Sequence, residues 1–97
     1  MSVFIMFGKY TSEAIKGISA ERTKKAVDVI KKYGGEVISM YAVVGEHDLV
    51  FTLNLPDIEK ALVTSVALKE LTGISFTTSP VVEIEKFDKL VAEANDI

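Results

Sequence analysis

The sequence contains no cysteine and only one histidine, His47. The lack of cysteine excludes disulfides, thiolate metal sites and a cysteine nucleophile. A single histidine argues against a zinc site within one subunit, because protein zinc sites draw mainly on cysteine and histidine ligands. We therefore predict no metal site.

The sequence also lacks an excess of basic charge, a long apolar run and a phosphate-binding glycine motif. Its net charge is −3 at pH 7, whereas binding to nucleic-acid phosphates needs a basic surface. No apolar run approaches the ~20 residues of a membrane span. No GxGxxG or GxxxxGK motif is present to hold a nucleotide. We expect no nucleic-acid partner, no membrane partner, no cofactor and a cytoplasmic location.

What is present is a short and apolar chain. Its 97 residues fit one domain over residues 1–97, and 48% of them are hydrophobic. A chain of this length has a large surface for its volume, so part of its apolar area stays uncovered in a monomer. Burial of that area in a homo-oligomer is the simplest consequence.

Two helices are indicated by apolar periodicity and by their end signals. The first is predicted over residues 20–33, with Ser19 as its N-cap and Gly34-Gly35 as its end. The second is predicted over residues 57–71, with an aspartate as its cap. Between the first strand and the first helix, the stretch TSEAIKGIS is compatible with a single helical turn.

The strands are indicated by alternation and by β-branched and aromatic content. Residues 2–10 are apolar at both parities, which predicts a central strand. Two further strands, in EVISMYAVV and HDLVFTLNL, are joined by a hairpin at Gly45-Glu46, and a fourth lies in ISFTTSPVV. The apolar positions of a last amphipathic helix are Ile84, Phe87, Val91 and Ala94.

The resulting order is β-α-β-β-α-β with an extra C-terminal helix, which predicts an α+β fold of the ferredoxin-like type. Right-handed crossovers place both main helices on one face of a four-stranded antiparallel sheet and leave the other face open. Alternation assigns a mixed set of side chains to this open face: Asp48, Val50, Thr52, Asn54, Ser75, Thr77 and Ser79. Such a mixture suits a sheet-to-sheet dimer around a partly polar cavity, although threonine and serine also simply occur in strands.

The second helix carries no charge over two turns, in the stretch ALVTSVAL. A helix of this composition is usually covered on more than one side. A helix-mediated contact with another subunit, beyond any contact between sheets, would provide that cover.

The block GEHDLVF, the opening FIMFGKYT and the glycine-ended first helix resemble the GYD domain family, which is named for a Gly-x-Tyr-Asp signature. The likeness covers nearly the whole chain, and its specific part is KKYGGEVISMYAVVGEHDLVFTLNLPD. Gly45 and Asp48 match the signature, while His47 stands at the tyrosine position. The resemblance implies a dimeric α+β barrel and a structural turn at Gly45. It implies no particular chemistry, because the family has no generally established activity.

The same hairpin is similar to one in the ligand-binding domains of leucine-responsive (feast/famine) regulators. Those domains use this fold to dimerise and to bind amino acids or other small effectors. No helix-turn-helix segment precedes Ser2 in this sequence, so we do not expect a complete DNA-binding regulator.

The neighbours His47 and Asp48 invite a catalytic interpretation, but adjacent residues on a strand point to opposite faces. A dyad requires a hydrogen bond between histidine and acid, so we do not expect one within a subunit and assign no catalytic residue. Asp48 is expected to accept hydrogen bonds from amides of the hairpin or a neighbouring strand. His47, a planar ring with a polar tip, is expected to pack or to line a pocket.

Tyr10 and Tyr41 are further pocket candidates, because a phenol can donate a hydrogen bond to a ligand. Tyrosines at strand ends also anchor packing while their hydroxyl stays in water. The full set of candidate ligand-binding residues is His47, Asp48, Tyr10, Tyr41, Thr52, Asn54 and Thr77.

Three functions follow as hypotheses. The first is a homo-oligomer that binds a small molecule, in a cavity between the helices and the strands or between paired sheets. The second is a cofactor-independent monooxygenase or isomerase of the dimeric α+β barrel type, with His47, Asp48 and Tyr10 as candidates. The third is an interaction module in which the charge-free second helix docks a partner protein.

Overall fold

The structure is a computed structural model that describes residues 1–96. Its strands form one four-stranded antiparallel sheet in the order β2-β3-β1-β4, which is the predicted ferredoxin-like arrangement. The elements are β1 (Ser2–Lys9), α1 (Ser12–Lys16), α2 (Ala20–Lys32), β2 (Glu36–Ala42), β3 (Leu49–Leu55), α3 (Ile58–Thr72), β4 (Ser75–Pro80) and α4 (Ile84–Asn95).

The hydrophobic core lies between one face of the sheet and the helices α2 and α3. Alternate residues of β1 and β3 point into it, because successive side chains of a strand point to opposite faces. The buried members of this core are Phe4, Met6, Ala26, Ile30, Phe51, Leu53, Leu55, Ala61 and Leu68.

The ends of the main helices follow the local signals in the sequence. The Ser19 hydroxyl accepts a hydrogen bond from the Arg22 amide at 3.0 Å, and the Asp57 carboxylate accepts one from the Lys60 amide at 2.8 Å. Both N-caps are therefore confirmed. Gly73 ends α3 with a φ of +74°, the left-handed conformation that favours glycine.

The segment between β2 and β3 differs from its prediction. The expected strand began at His47, whereas β3 begins at Leu49 and residues 44–46 form a bend. The connection is therefore longer than the Gly45-Glu46 turn that the sequence indicates. Its backbone leaves the extended conformation, so strand parity does not govern where His47 and Asp48 point.

The open face of the sheet carries the residues that alternation assigns to β3 and β4. Its centre is β1, where Ile5 pairs with Thr52 on one side and Ser79 on the other. Phe7 lies beside Val50 and Thr77 in the same way. The apolar side chains of β1 on this face are only half-buried.

Two helices leave apolar side chains uncovered. On α3, Leu62 and Val66 are 63% and 60% exposed, although the opposite side of the same helix is buried. On α4 no residue is buried, and its apolar stripe of Ile84, Phe87 and Leu90 is exposed. Within residues 1–96, no helix combines the length and the apolar character that crossing a membrane requires.

Candidate ligand-binding site

Backbone hydrogen bonds close the connection between β2 and β3 and link it to the end of β1. The Asp48 amide donates to the Gly8 carbonyl at 2.8 Å, and the Val43 amide donates to the Asp48 carbonyl at 2.9 Å. Gly45 lies within this connection with a φ of +137°, which residues with a side chain rarely adopt. A side chain at position 45 would therefore strain the backbone, and the structural role of Gly45 stays a prediction.

The Asp48 side chain also links this connection to the end of β1. Its carboxylate accepts a hydrogen bond from the Tyr10 amide at 2.8 Å. Nearby, the Lys9 ammonium donates to the Glu46 carbonyl at 3.0 Å. Asp48 therefore bonds a neighbouring backbone amide, as the sequence predicted, and it fixes the position of Tyr10.

His47 lies on the open face of the sheet. Its ring packs against Phe7 with 4.8 Å between the ring centroids and a tilt of 33°. The carboxylate of Asp48 is engaged with Tyr10 instead. His47 thus packs as an aromatic ring, in the manner expected for a residue at the tyrosine position.

A cavity of about 220 Å³ lies between the sheet and the first half of α2. The larger apolar side chains of its wall come from β2, β3, β4 and the residue before β4. They are Met40, Leu49, Phe51, Ile74 and Phe76. Phe51 and Phe76 also contact each other, with 5.5 Å between their ring centroids. Aromatic and aliphatic walls of this kind are typical of small-molecule sites.

The polar groups of the cavity are few and come mainly from the start of α2. They include Tyr10, Ser19, Arg22 and Thr23. The Thr72 hydroxyl also borders the cavity, but it already donates to the Leu68 carbonyl and accepts from the Ile74 amide. The Ser19 hydroxyl likewise accepts from the Arg22 amide, and the Thr23 hydroxyl donates to the Ser19 carbonyl. The guanidinium of Arg22 and the phenols of Tyr10 and Tyr41 are therefore the groups that could orient a ligand.

The structure separates the candidate residues of the sequence into different places. Tyr10 and Tyr41 border the cavity. His47 and Thr77, again with Tyr10, border an open depression of about 330 Å³ on the other face of the sheet. Thr52 and Asn54 lie on that open face by register. No single site among residues 1–96 brings the whole set together.

Sequence reasoning missed Arg22 and the apolar wall of the cavity. Arg22 is the only arginine of the chain, and that singularity was the signal that could have drawn attention to it. The wall residues gave no such signal, because they look like ordinary core residues of strands.

The structure is that of a small ferredoxin-like α+β domain with a cavity between helix and sheet. Residues 4–91 match the GYD domain family, and the chain belongs to that family. A comparison with curated proteins finds no match.

Among solved structures, the chain is similar to the leucine response regulatory protein LrpA of Mycobacterium tuberculosis. The two share 11% sequence identity with a TM-score of 0.57, and the match covers 84% of this chain. The chain spans about half of that protein, since 51% of LrpA is covered. At this identity the likeness concerns the fold alone.

Proposed function

We propose that the protein is a homo-oligomeric domain that binds a small molecule in the cavity between α2 and the sheet. The observation that carries the proposal is the composition of this cavity. A wall of aromatic and aliphatic side chains faces a few polar groups at the start of α2, and sites for small ligands have this composition.

The open face of the sheet is the surface that we assign to oligomerisation. Its centre, with Ile5 and Phe7, is apolar and half-buried in one chain. Contact with a second sheet would cover both residues and would bury Thr52 and Asn54 beside them. In this proposal the polar residues of the open face belong to the subunit contact, and the ligand lies on the other side of the sheet.

The alternative of a cofactor-independent enzyme has less support from the geometry. Of its three candidate residues, only Tyr10 borders the cavity. His47 packs on Phe7 across the sheet, and the carboxylate of Asp48 is bonded to a backbone amide. Binding without catalysis is therefore the function that the cavity supports best.

The proposal can be tested by ligand-observed NMR with a set of single-ring compounds. The test compares the wild-type protein with Thr23→Phe, which places a ring at the cavity from an exposed position on α2. Lys24→Phe adds the same ring to the same helix at an exposed position that does not border the cavity.

Compounds are expected to bind the wild type and Lys24→Phe and to lose binding in Thr23→Phe. Circular dichroism checks that all three proteins keep the same helical content. The proposal is wrong if no compound binds the wild type, or if Thr23→Phe binds the same compounds equally well.

A further inference from the structure

The charge at the border of the cavity is positive. Arg22 is the only charged side chain that borders it. No carboxylate lies within ion-pair distance of Arg22 in the part of the chain that the structure describes. A positive charge without a counter-charge, beside an apolar wall, favours a ligand that brings a negative charge of its own.

The guanidinium of Arg22 is held in place by local contacts. One of its terminal nitrogens, Nη1, donates to the Ala14 carbonyl at 2.5 Å. The group also lies 6.0 Å from the centroid of the Tyr10 ring, within the range of a cation–π contact. The single bond to Ala14 leaves the other N–H groups of the fork free to meet a ligand.

Gly17 provides the space in which this guanidinium sits. A Cβ at position 17 would lie 2.8 Å from Nη1 of Arg22. The φ of Gly17 is −94°, which any residue adopts. The backbone at position 17 therefore accepts any residue, and an added methyl group would displace the flexible end of the arginine side chain.

We propose that the natural ligand of the cavity is a small organic acid with one carboxylate and a flat or compact apolar body. The carboxylate would meet Arg22, and the body would lie against Leu49, Phe51 and Phe76. This inference rests on the proposed function, because it names the class of ligand for the same cavity.

The size and charge of the site narrow the class further. A cavity of about 220 Å³ is smaller than the ~300–1,000 Å³ of sites for drug-sized ligands, so a single ring or a short chain fits best. The planar fork of an arginine matches a planar carboxylate. A more highly charged ligand such as a phosphate would find only one cation here, in a chain whose net charge is −3.

The test measures the binding of benzoate and of its neutral analogue benzamide by ligand-observed NMR titration. Benzoate is expected to bind the wild type at least about tenfold more tightly than benzamide, as a charge-assisted bidentate contact would give. In Arg22→Met this preference should disappear. In Gly17→Ala it should fall several-fold, because the guanidinium is displaced while the backbone is unaffected.

Lys24→Met is the matched control, because it removes an exposed charge from the same helix outside the cavity. It should keep the preference for benzoate. If Arg22→Met does not fold, the comparison of the two compounds on the wild type and on Gly17→Ala still decides the question.

The outcomes separate this inference from the proposed function. Equal binding of benzoate and benzamide, abolished by Thr23→Phe, would overturn the acid class and leave the cavity as the binding site. A benzoate preference that survives both Arg22→Met and Gly17→Ala would show that another cation holds the carboxylate, and would also overturn it. Failure of every ring compound to bind would overturn the proposed function itself.

Discussion

At the scale of the residue, the GEHD segment acts through hydrogen bonds and packing. The Asp48 carboxylate accepts a hydrogen bond from the amide of Tyr10, the residue after β1. The His47 ring packs on Phe7, which lies within β1. The adjacent histidine and aspartate therefore contact different residues, one by packing and the other by a hydrogen bond. The Asp48 contact also holds Tyr10, which borders the cavity beside α2.

We expect Asp48→Ala to lower the free energy of unfolding by about 2 kcal/mol, because the half-buried Tyr10 amide loses a charged acceptor. Asp48→Asn keeps an oxygen acceptor and should lose less than about 1 kcal/mol. Urea denaturation measures both changes.

Asp88→Ala is the control for Asp48→Ala, since Asp88 is exposed on α4. It should change the stability by less than about 0.5 kcal/mol. If Asp48→Ala behaves like this control, the bond to Tyr10 contributes nothing and its assigned role is wrong.

At the scale of the element, α3 contains two buried threonines in different circumstances. The hydroxyl of Thr64 is fully buried and has no hydrogen-bond partner among the described residues. The hydroxyl of Thr72, two turns later, donates to the Leu68 carbonyl at 2.7 Å and accepts from the Ile74 amide at 3.0 Å. The same side chain is thus unpaired in the middle of the helix and doubly paired at its C-terminal end.

Valine has nearly the shape of threonine without the hydroxyl, so it separates these two cases. We expect Thr64→Val to raise the free energy of unfolding by about 1 kcal/mol, because a buried group without a partner is removed. Thr72→Val should lower it by about 1–2 kcal/mol, because the Ile74 amide loses its acceptor. Thermal and urea unfolding of the two variants measure the difference, and equal effects of both would contradict this account.

The elements also show how far local sequence signals reach. Helix caps depend on contacts within a few residues of the cap. The helix ends predicted from Ser19, Asp57 and Gly73 are confirmed. The start of β3 was predicted two residues early, because the bend before it is held by bonds from Asp48 to Gly8 and Tyr10, about forty positions away.

The candidate site was predicted less well than the fold, and for a related reason. Tyr10 and Tyr41, two of the pocket candidates, border the cavity, and their role in binding stays a prediction. Arg22 was not singled out, because its position depends on Gly17, Ala14 and Tyr10 meeting around it. Periodicity assigns a residue to a face of its own helix, but it does not show which elements pack against that face.

At the scale of the whole molecule, the single chain is more extended than a compact domain of its size. Its radius of gyration is 15.2 Å, whereas a compact domain of this length has about 12.5 Å. The longest dimension is 53 Å. The helix α4 has no buried residue, and an isolated helix of its length is marginal in water. Both α4 and the open face of the sheet therefore leave apolar side chains uncovered in one chain, and a second copy would cover them in the homo-oligomer that we propose.

Light scattering coupled to size exclusion tests this assembly and the surface that forms it. The wild type should have at least twice the mass of one chain at micromolar concentration.

Ile5→Lys places a charge at the centre of the open face, where Ile5 is half-exposed in one chain, so it should give a folded monomer. Val66→Lys places the same charge on the exposed side of α3 and should leave the mass unchanged. A monomeric wild type would refute the assembly, while dissociation by Val66→Lys alone would move the contact from the sheet to α3.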